Sequence, residues 1–405
     1  MKKILIVGGG VNQMPLVLAA KREGYEVIVV DYAGEGCPAY TVADRFYNVS
    51  TLDEEGILDV ARKEGIDGII SNSEPSMIIV NSIAEKLNLT GNPVEGIRDL
   101  ISKSRFRDLQ RRTGCYAPVG YEVETTEEAI NMSKRLRCPL VVKPCESSGS
   151  RGFRKIERYD QHEISDAFEV CKHYSRNKKV VIEEYVAMPS LRTIEGDIFV
   201  SGDSVLWDGL FYTIRASWAP EVPMTYSAPL LIDNARLDVI KSSVLRILKA
   251  SGVRFGEFNI EGFFTETSEF FIIEINVRQG GNFLPHFLQR FTGIDYHRLL
   301  VTTCVNDDEY LKTVMAMERH YRYVIMHSVY SREEGIYQGL RYEPLIKDKI
   351  ANVTELLSVG DKVEKCIDGS SIVASVDLDF GSSDELHAFI PQIMNGIHVE
   401  LSNAS

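Results

Sequence analysis

The stretch Val253-Arg-Phe-Gly-Glu-Phe-Asn259-Ile-Glu261-Gly-Phe-Phe-Thr265-Glu-Thr-Ser268-Glu-Phe-Phe-Ile-Ile-Glu274-Ile-Asn276-Val-Arg278 holds two apolar runs on either side of a short polar break. Such a break between β-prone runs turns a hairpin, so strands at 253–264 and 269–276 are expected to pair. Side chains alternate across a strand. Glu274, Asn276 and Arg278 therefore share one face, and Asn259 and Glu261 share one face of the partner. A turn near 266–268 sets Glu261 beside Glu274 across the ladder. Two carboxylates and an amide oxygen from one strand pair make a hard, all-oxygen donor set, of the kind Mg²⁺ takes together with water and phosphate oxygens. The bland alternative is a solvated strand face. Ile273 and Ile275 argue against it, because a strand so lined is buried on one side, where paired acids need a cation.

Opposite charge comes from earlier segments. Lys143 closes the apolar run Pro139-Leu-Val-Val-Lys-Pro144, where a lysine is costly unless its ammonium meets an anion. Glu146-Ser-Ser-Gly-Ser-Arg-Gly152 follows directly, and its small residues would let backbone N–H groups wrap phosphate oxygens. By itself that loop reads equally as a surface turn. Lys103 opens a helix expected from Ser102 as N-cap to Gly114 as stop. The helix dipole disfavours a cation there, which an external anion would explain, although an exposed lysine is the commoner reason. Lys179-Val-Val-Ile-Glu183-Glu184-Tyr185-Val186 reads as an edge strand whose backbone groups and aliphatic floor would suit adenine; alone it is simply a strand.

The N-terminal part alternates short β-branched runs at 3–7, 26–31 and 67–71 with helical patterns at 12–23, 53–64 and 75–87. Strand and helix in alternation predict a parallel sheet. Gly8-Gly-Gly10 before the first helix, with Asp31 ending the second strand, has the look of a dinucleotide fingerprint. Gln13 stands where its third glycine belongs, so a tight turn closing a βα unit is the preferred reading. A second α/β region has strands at 119–123, 139–144 and 179–186 and helices at 126–136 and 160–174. Longer strands follow at 193–200 and 204–214, ahead of a helix at 233–250 and the hairpin. The last hundred residues hold further strands and one helix after Ser382. The fold class expected is α/β, with α+β character in the middle unit.

Composition sets outer limits. The 405 residues exceed one ordinary core, and the net charge of −13 opposes nonspecific nucleic-acid binding. No apolar run approaches the ~20 residues of a membrane span, and nothing reads as a signal peptide. Seven cysteines without CxxC or Cys/His spacing read as reduced thiols of a cytoplasmic protein.

Taken together, these segments resemble the ATP-grasp superfamily over about residues 1–305, most sharply in Glu274-Ile-Asn276-Val-Arg278-Gln-Gly280-Gly281-Asn282 preceded by Glu261. The resemblance implies a Rossmann-like pre-ATP-grasp domain at 1–92, an ATP-grasp domain at 93–305 whose flap-bearing subdomain is 117–186, and a C-terminal α/β accessory domain at 306–405. It implies ATP and two Mg²⁺ ions, with Mn²⁺ as the substitute. Lys103 and Lys143 would hold phosphates, and Ser147, Ser148, Gly149, Ser150 and Gly152 would close over them. Glu183, Glu184, Tyr185 and Val186 would form the adenine hinge. Glu261, Glu274 and Asn276 would be metal ligands, and Arg278, with Lys143, would be catalytic. The ribose-binding acid usual after the hinge is missing in its place, and Glu195 or Asp197 would serve instead. The implied activity is a carboxylate–amine ligase working through an acyl phosphate. Bicarbonate activation, of the carbamoyl phosphate synthetase or biotin carboxylase type, and a phosphoribosylglycinamide synthetase-like reaction are the alternatives. Small-molecule carboxylate and amine substrates are the expected partners, and a homodimer stays open. Arg192, Arg215, Trp218, Tyr226 and His286 are further candidates for reading the substrate.

Overall fold

The computed structural model describes residues 1–402 apart from 148, 150 and 282. Lys3–Val7, Glu26–Val30 and Gly68–Ile70 form the expected parallel sheet, joined by the short strand Arg45–Tyr47 beyond Glu26–Val30. The side chains at 4–7, 27–30, 69 and 70 are all apolar and buried, as a parallel sheet covered on both faces requires. Helix Glu54–Glu64 starts where the Asp53 side chain accepts from Gly56 N and stops at Gly65 in the left-handed region.

The glycine turn at the N-terminus settles the dinucleotide resemblance. The Asp31 carboxylate accepts from the backbone N–H of Gly9 at 2.9 Å and of Ala33 at 2.9 Å. It is consumed in holding the turn closed. Gly8 has φ +96°, and the Gln13 side chain lies 3.3 Å from where a Cβ on it would stand.

Next comes an antiparallel sheet ordered Gly120–Val123, Val180–Glu184, Leu140–Pro144, Arg154–Ile156. Helices Thr126–Ser133 and Gln161–Tyr174 pack on it through Ala129, Ile164 and Phe168. The largest sheet has eight strands in the order Phe270–Asn276, Phe255–Phe264, Arg192–Ser201, Ser204–Ala216, Ala219–Ala228, Tyr323–Val329, Ala374–Phe380, Ile350–Glu355. Helix Asn234–Ser251 covers it through Ile240, Val244 and Ile247, which meet Phe258 and Ile260.

The sheet runs past the boundary expected at 305 without interruption, because three of its strands come from the last hundred residues. A single apolar core joins Ile4 and Leu16 of the first unit to Phe287, Leu299 and Met326. Lys362–Val363, Gly335–Tyr342 and Ile397–Ser402 form a small sheet beside it. All seven cysteines are free thiols, and among the described residues no helix is long and apolar enough to cross a membrane.

Candidate active site

Glu261 stands opposite Glu274 in the hairpin ladder, and Asn259 opposite Asn276. Asn276 Nδ2 donates to Glu274 Oε1 at 3.0 Å and to Asn259 Oδ1 at 3.3 Å. On its other side, Phe255–Phe264 pairs with Arg192–Ser201, which brings Glu195 opposite Glu261 and Asp197 opposite Asn259. Buried Arg215 bonds Glu261 and donates to Thr193 Oγ1 at 2.5 Å. Burial, then the charge of Glu261, pushes the Glu195 carboxyl up to about 8. Burial likewise raises Glu261, with Arg215 opposing. Glu274 moves the other way: burial disfavours its charge, but Lys103 and Asn276 outweigh that and hold it low.

Lys143 is buried at the end of its strand, and its ammonium bonds Glu183. Glu183 also accepts from Arg107 Nε at 3.0 Å. Arg107 follows Lys103 by one helical turn, and its Nη1 donates to Ile273 O at 3.0 Å, while Gln110 Nε2 donates to Ile272 O at 2.8 Å. Burial lowers Lys143 to about 8 against the pull of Glu183. Glu183, in spite of burial, is held at about 2 by Arg107 and Lys143. Two cations on one carboxylate leave this wall net positive, a surface that attracts an anion. Lys103 Nζ donates to Ser147 O at 2.8 Å and lies 4.0 Å from Glu274 Oε2.

Lys143 and the acid pair line the same cavity, of about 230 Å³. Lys103, Ser147, Gly149, Glu183, Glu184, Tyr185 and Val186 line it too. Phe263, Phe271 and Ile273 give it an apolar side. Asn276 lies in an adjoining recess with Lys103, Ser147 and Glu274. Gly152 has φ +76° and would bring a Cβ to 3.1 Å from Pro144 and Tyr174. Arg278 is set apart from the cavity, with Nη1 donating to Gln279 O at 2.6 Å. Ser148, Ser150 and Asn282 lie outside the described residues.

Several expectations land elsewhere. The Glu183 carboxylate faces Lys143 and Arg107 in the cavity wall. Glu184 pairs outward with Arg137 at 3.2 Å, and the amides of Glu184 and Tyr185 donate to Val119 O and Pro139 O. Asp197 is buried and Glu195 half-buried on the strand next to the acid pair, and neither lines the cavity; Glu221 does. Tyr226 is a core residue against Phe211 and Phe287. Trp218 lies under the Arg332 guanidinium, beside a separate cavity of about 310 Å³. Arg192 is exposed, and the His286 ring lies 3.6 Å from Asp377.

Among the described residues no three His, Cys, Asp or Glu side chains form a ready metal cage. Two carboxylates and one amide beside a cationic wall instead fit an ion such as Mg²⁺, which completes its shell with water and phosphate oxygens.

Residues 4–94 match the family described as PylC-like, N-terminal domain, and residues 102–295 match that described as carbamoyl-phosphate synthase L chain, ATP binding domain. Residues 102–295 form an ATP-grasp domain. The carbamoyl phosphate synthase large chain of Clostridium beijerinckii is 25% identical over 294 residues, covering 68% of this chain and 27% of that protein. The chain thus spans about a quarter of that relative's length. Among solved structures, the L-amino acid ligase from Bacillus licheniformis superposes with a TM-score of 0.80 at 20% identity, covering 100% of this chain and 99% of that one. Phosphoribosylglycinamide synthetase from Anaerococcus prevotii follows at 0.71 and 19%, covering 99% and 100%. Both likenesses establish the shared ATP-grasp fold.

Arg107 and Glu221 escaped the sequence reading. Arg107 had a signal, because it lies four positions after Lys103 and so on the same helix face. Glu221 had none, since only the pairing of distant strands brings it in, and Glu195 was named for a ribose rather than for its place opposite Glu261.

Proposed function

We propose that the protein is an ATP-dependent carboxylate–amine ligase, in which ATP phosphorylates a carboxylate and an amine then displaces phosphate to form a C–N bond. The observation that carries this reading is the convergence of Lys103 and Lys143 with Glu261 and Glu274 on one cavity. Bound Mg²⁺, as two ions or with Mn²⁺ in its place, would neutralise phosphate charge and draw electrons from the transferred phosphorus. Glu261, Glu274 and Asn276 would hold it. Lys143 and Lys103 would bind phosphate oxygens, and the loop through Gly149 would exclude water from a hydrolysable acyl phosphate. The Val186 peptide and the apolar side of the cavity would receive the base. No side-chain nucleophile is required. The seven free thiols support a cytoplasmic setting.

A matrix of amino acids and phosphorylated amines, scored by ADP release and by mass analysis of products, tests the proposal. Absence of ADP release with every pair would sink it. Bicarbonate activation is the second reading, favoured by the carbamoyl phosphate synthase relatives; strict stimulation of ADP release by bicarbonate, without added carboxylate, would put it first.

A further inference from the structure

Behind the acid pair lies a buried polar chain that the proposed chemistry does not itself use. Asp197 is wholly buried, and Asn259 and Gly280 are nearly so. Asp197 Oδ1 accepts from Asn259 Nδ2 at 2.8 Å, and its Oδ2 accepts from Gly280 N at 2.9 Å. The next link runs from Asn276 Nδ2 to Asn259 Oδ1, and the same Nδ2 reaches Glu274. An amide side chain has a donor end and an acceptor end, and only its partners decide which way round it sits. An ionised carboxylate accepts only. Both oxygens of Asp197 take N–H donors, one from Asn259 and one from Gly280, so the carboxyl group acts here as an acceptor. Asp197 therefore dictates that Asn259 turn its NH₂ inward and its oxygen outward. That oxygen in turn takes the NH₂ of Asn276. Both side-chain hydrogen bonds of Asn276 among the described residues leave from Nδ2, so its Oδ1 remains an open acceptor beside Glu274.

We infer that Asp197 is a positioning residue which, through Asn259, fixes the amide of Asn276 so that oxygen and not NH₂ is offered to the divalent cation. The inference rests on the nucleotide–metal reading of the site. It also explains why an acid that sequence reading offers for a ribose is buried one strand away from the cavity.

The test is Mn²⁺ binding in the presence of ADP, followed by the electron paramagnetic resonance of free Mn²⁺. Loss of an outer-shell orienting group costs about 10–100-fold in metal affinity, and Asp197→Asn is expected to fall in that range. The exchanged pair Asp197→Asn with Asn259→Asp keeps the charge and again aims an acceptor at Asn276. It should restore affinity to within a few-fold of wild type. A purely structural Asp197 predicts no such rescue, and if the single variant does not fold the exchanged pair alone decides. Unchanged affinity in Asp197→Asn, or an exchanged pair as weak as the single variant, overturns the inference. Wild-type protein that takes up no Mn²⁺ with ADP overturns the nucleotide–metal reading as well.

Discussion

Glu183 shows how charge is arranged residue by residue. Removing one member of a buried ion pair strands the other and costs about 3–5 kcal/mol, so Glu183→Gln should lower the denaturant midpoint sharply. Its depressed ionisation gives stability that is full above about pH 4.5 and is lost as pH falls toward about 2, which acid titration of unfolding will check. Lys143 is shifted down as well, but for an ammonium a downward shift means that burial disfavours the charged form. Its ammonium discharges as pH rises through about 8, so ADP affinity should fall over that range, and Lys143→Arg should move the fall higher. Glu274→Gln strips a carboxylate from the proposed metal site; turnover should drop about 100-fold or more with the melting temperature kept, and an unaffected rate would refute the assignment.

At the scale of elements, the hairpin was the most legible part of the chain. Its alternation and polar break set Glu261 beside Glu274, and the ladder pairs them so. Ala219–Ala228 has no expected strand in the sequence; its two prolines, Pro220 and Pro223, obscure it, and Pro223 sits where the ladder is irregular. The strands Tyr323–Val329 and Ala374–Phe380 were visible only as unassigned apolar runs, since sheet membership is a property of partners far away in sequence. Val180–Glu184 shows the same limit: it reads as an edge strand but is interior, paired with Gly120–Val123 on one side and Leu140–Pro144 on the other, and the destination of the Glu183 side chain depends on Arg107 in another element. The loop around Gly149 offers an element-level test. Gly149 has φ +70°, and proline imposes about −65°. Gly149→Pro should slow turnover about tenfold while ADP affinity changes little, separating closure from binding.

Across the whole molecule, the first unit, the acid hairpin and the last hundred residues share one sheet or one core. A chain ending at 305 would leave the Ala219–Ala228 strand without its neighbour and uncover Phe287 and Phe291. It is expected to lose cooperative melting, as calorimetry would show. The full chain should gain about 2.7 kcal/mol with ADP at 100 times its Kd. Phe270–Asn276 is one of the two edge strands of the eight, and its carbonyls at Ile272 and Ile273 are occupied by Gln110 and Arg107. Those two side chains act as a stopper against self-association, since an unprotected outer strand recruits other chains. Loss of Arg107 would therefore do more than unbalance Glu183: it would leave a template on which copies of the protein could polymerise, and the first sign would be turbidity that grows with concentration.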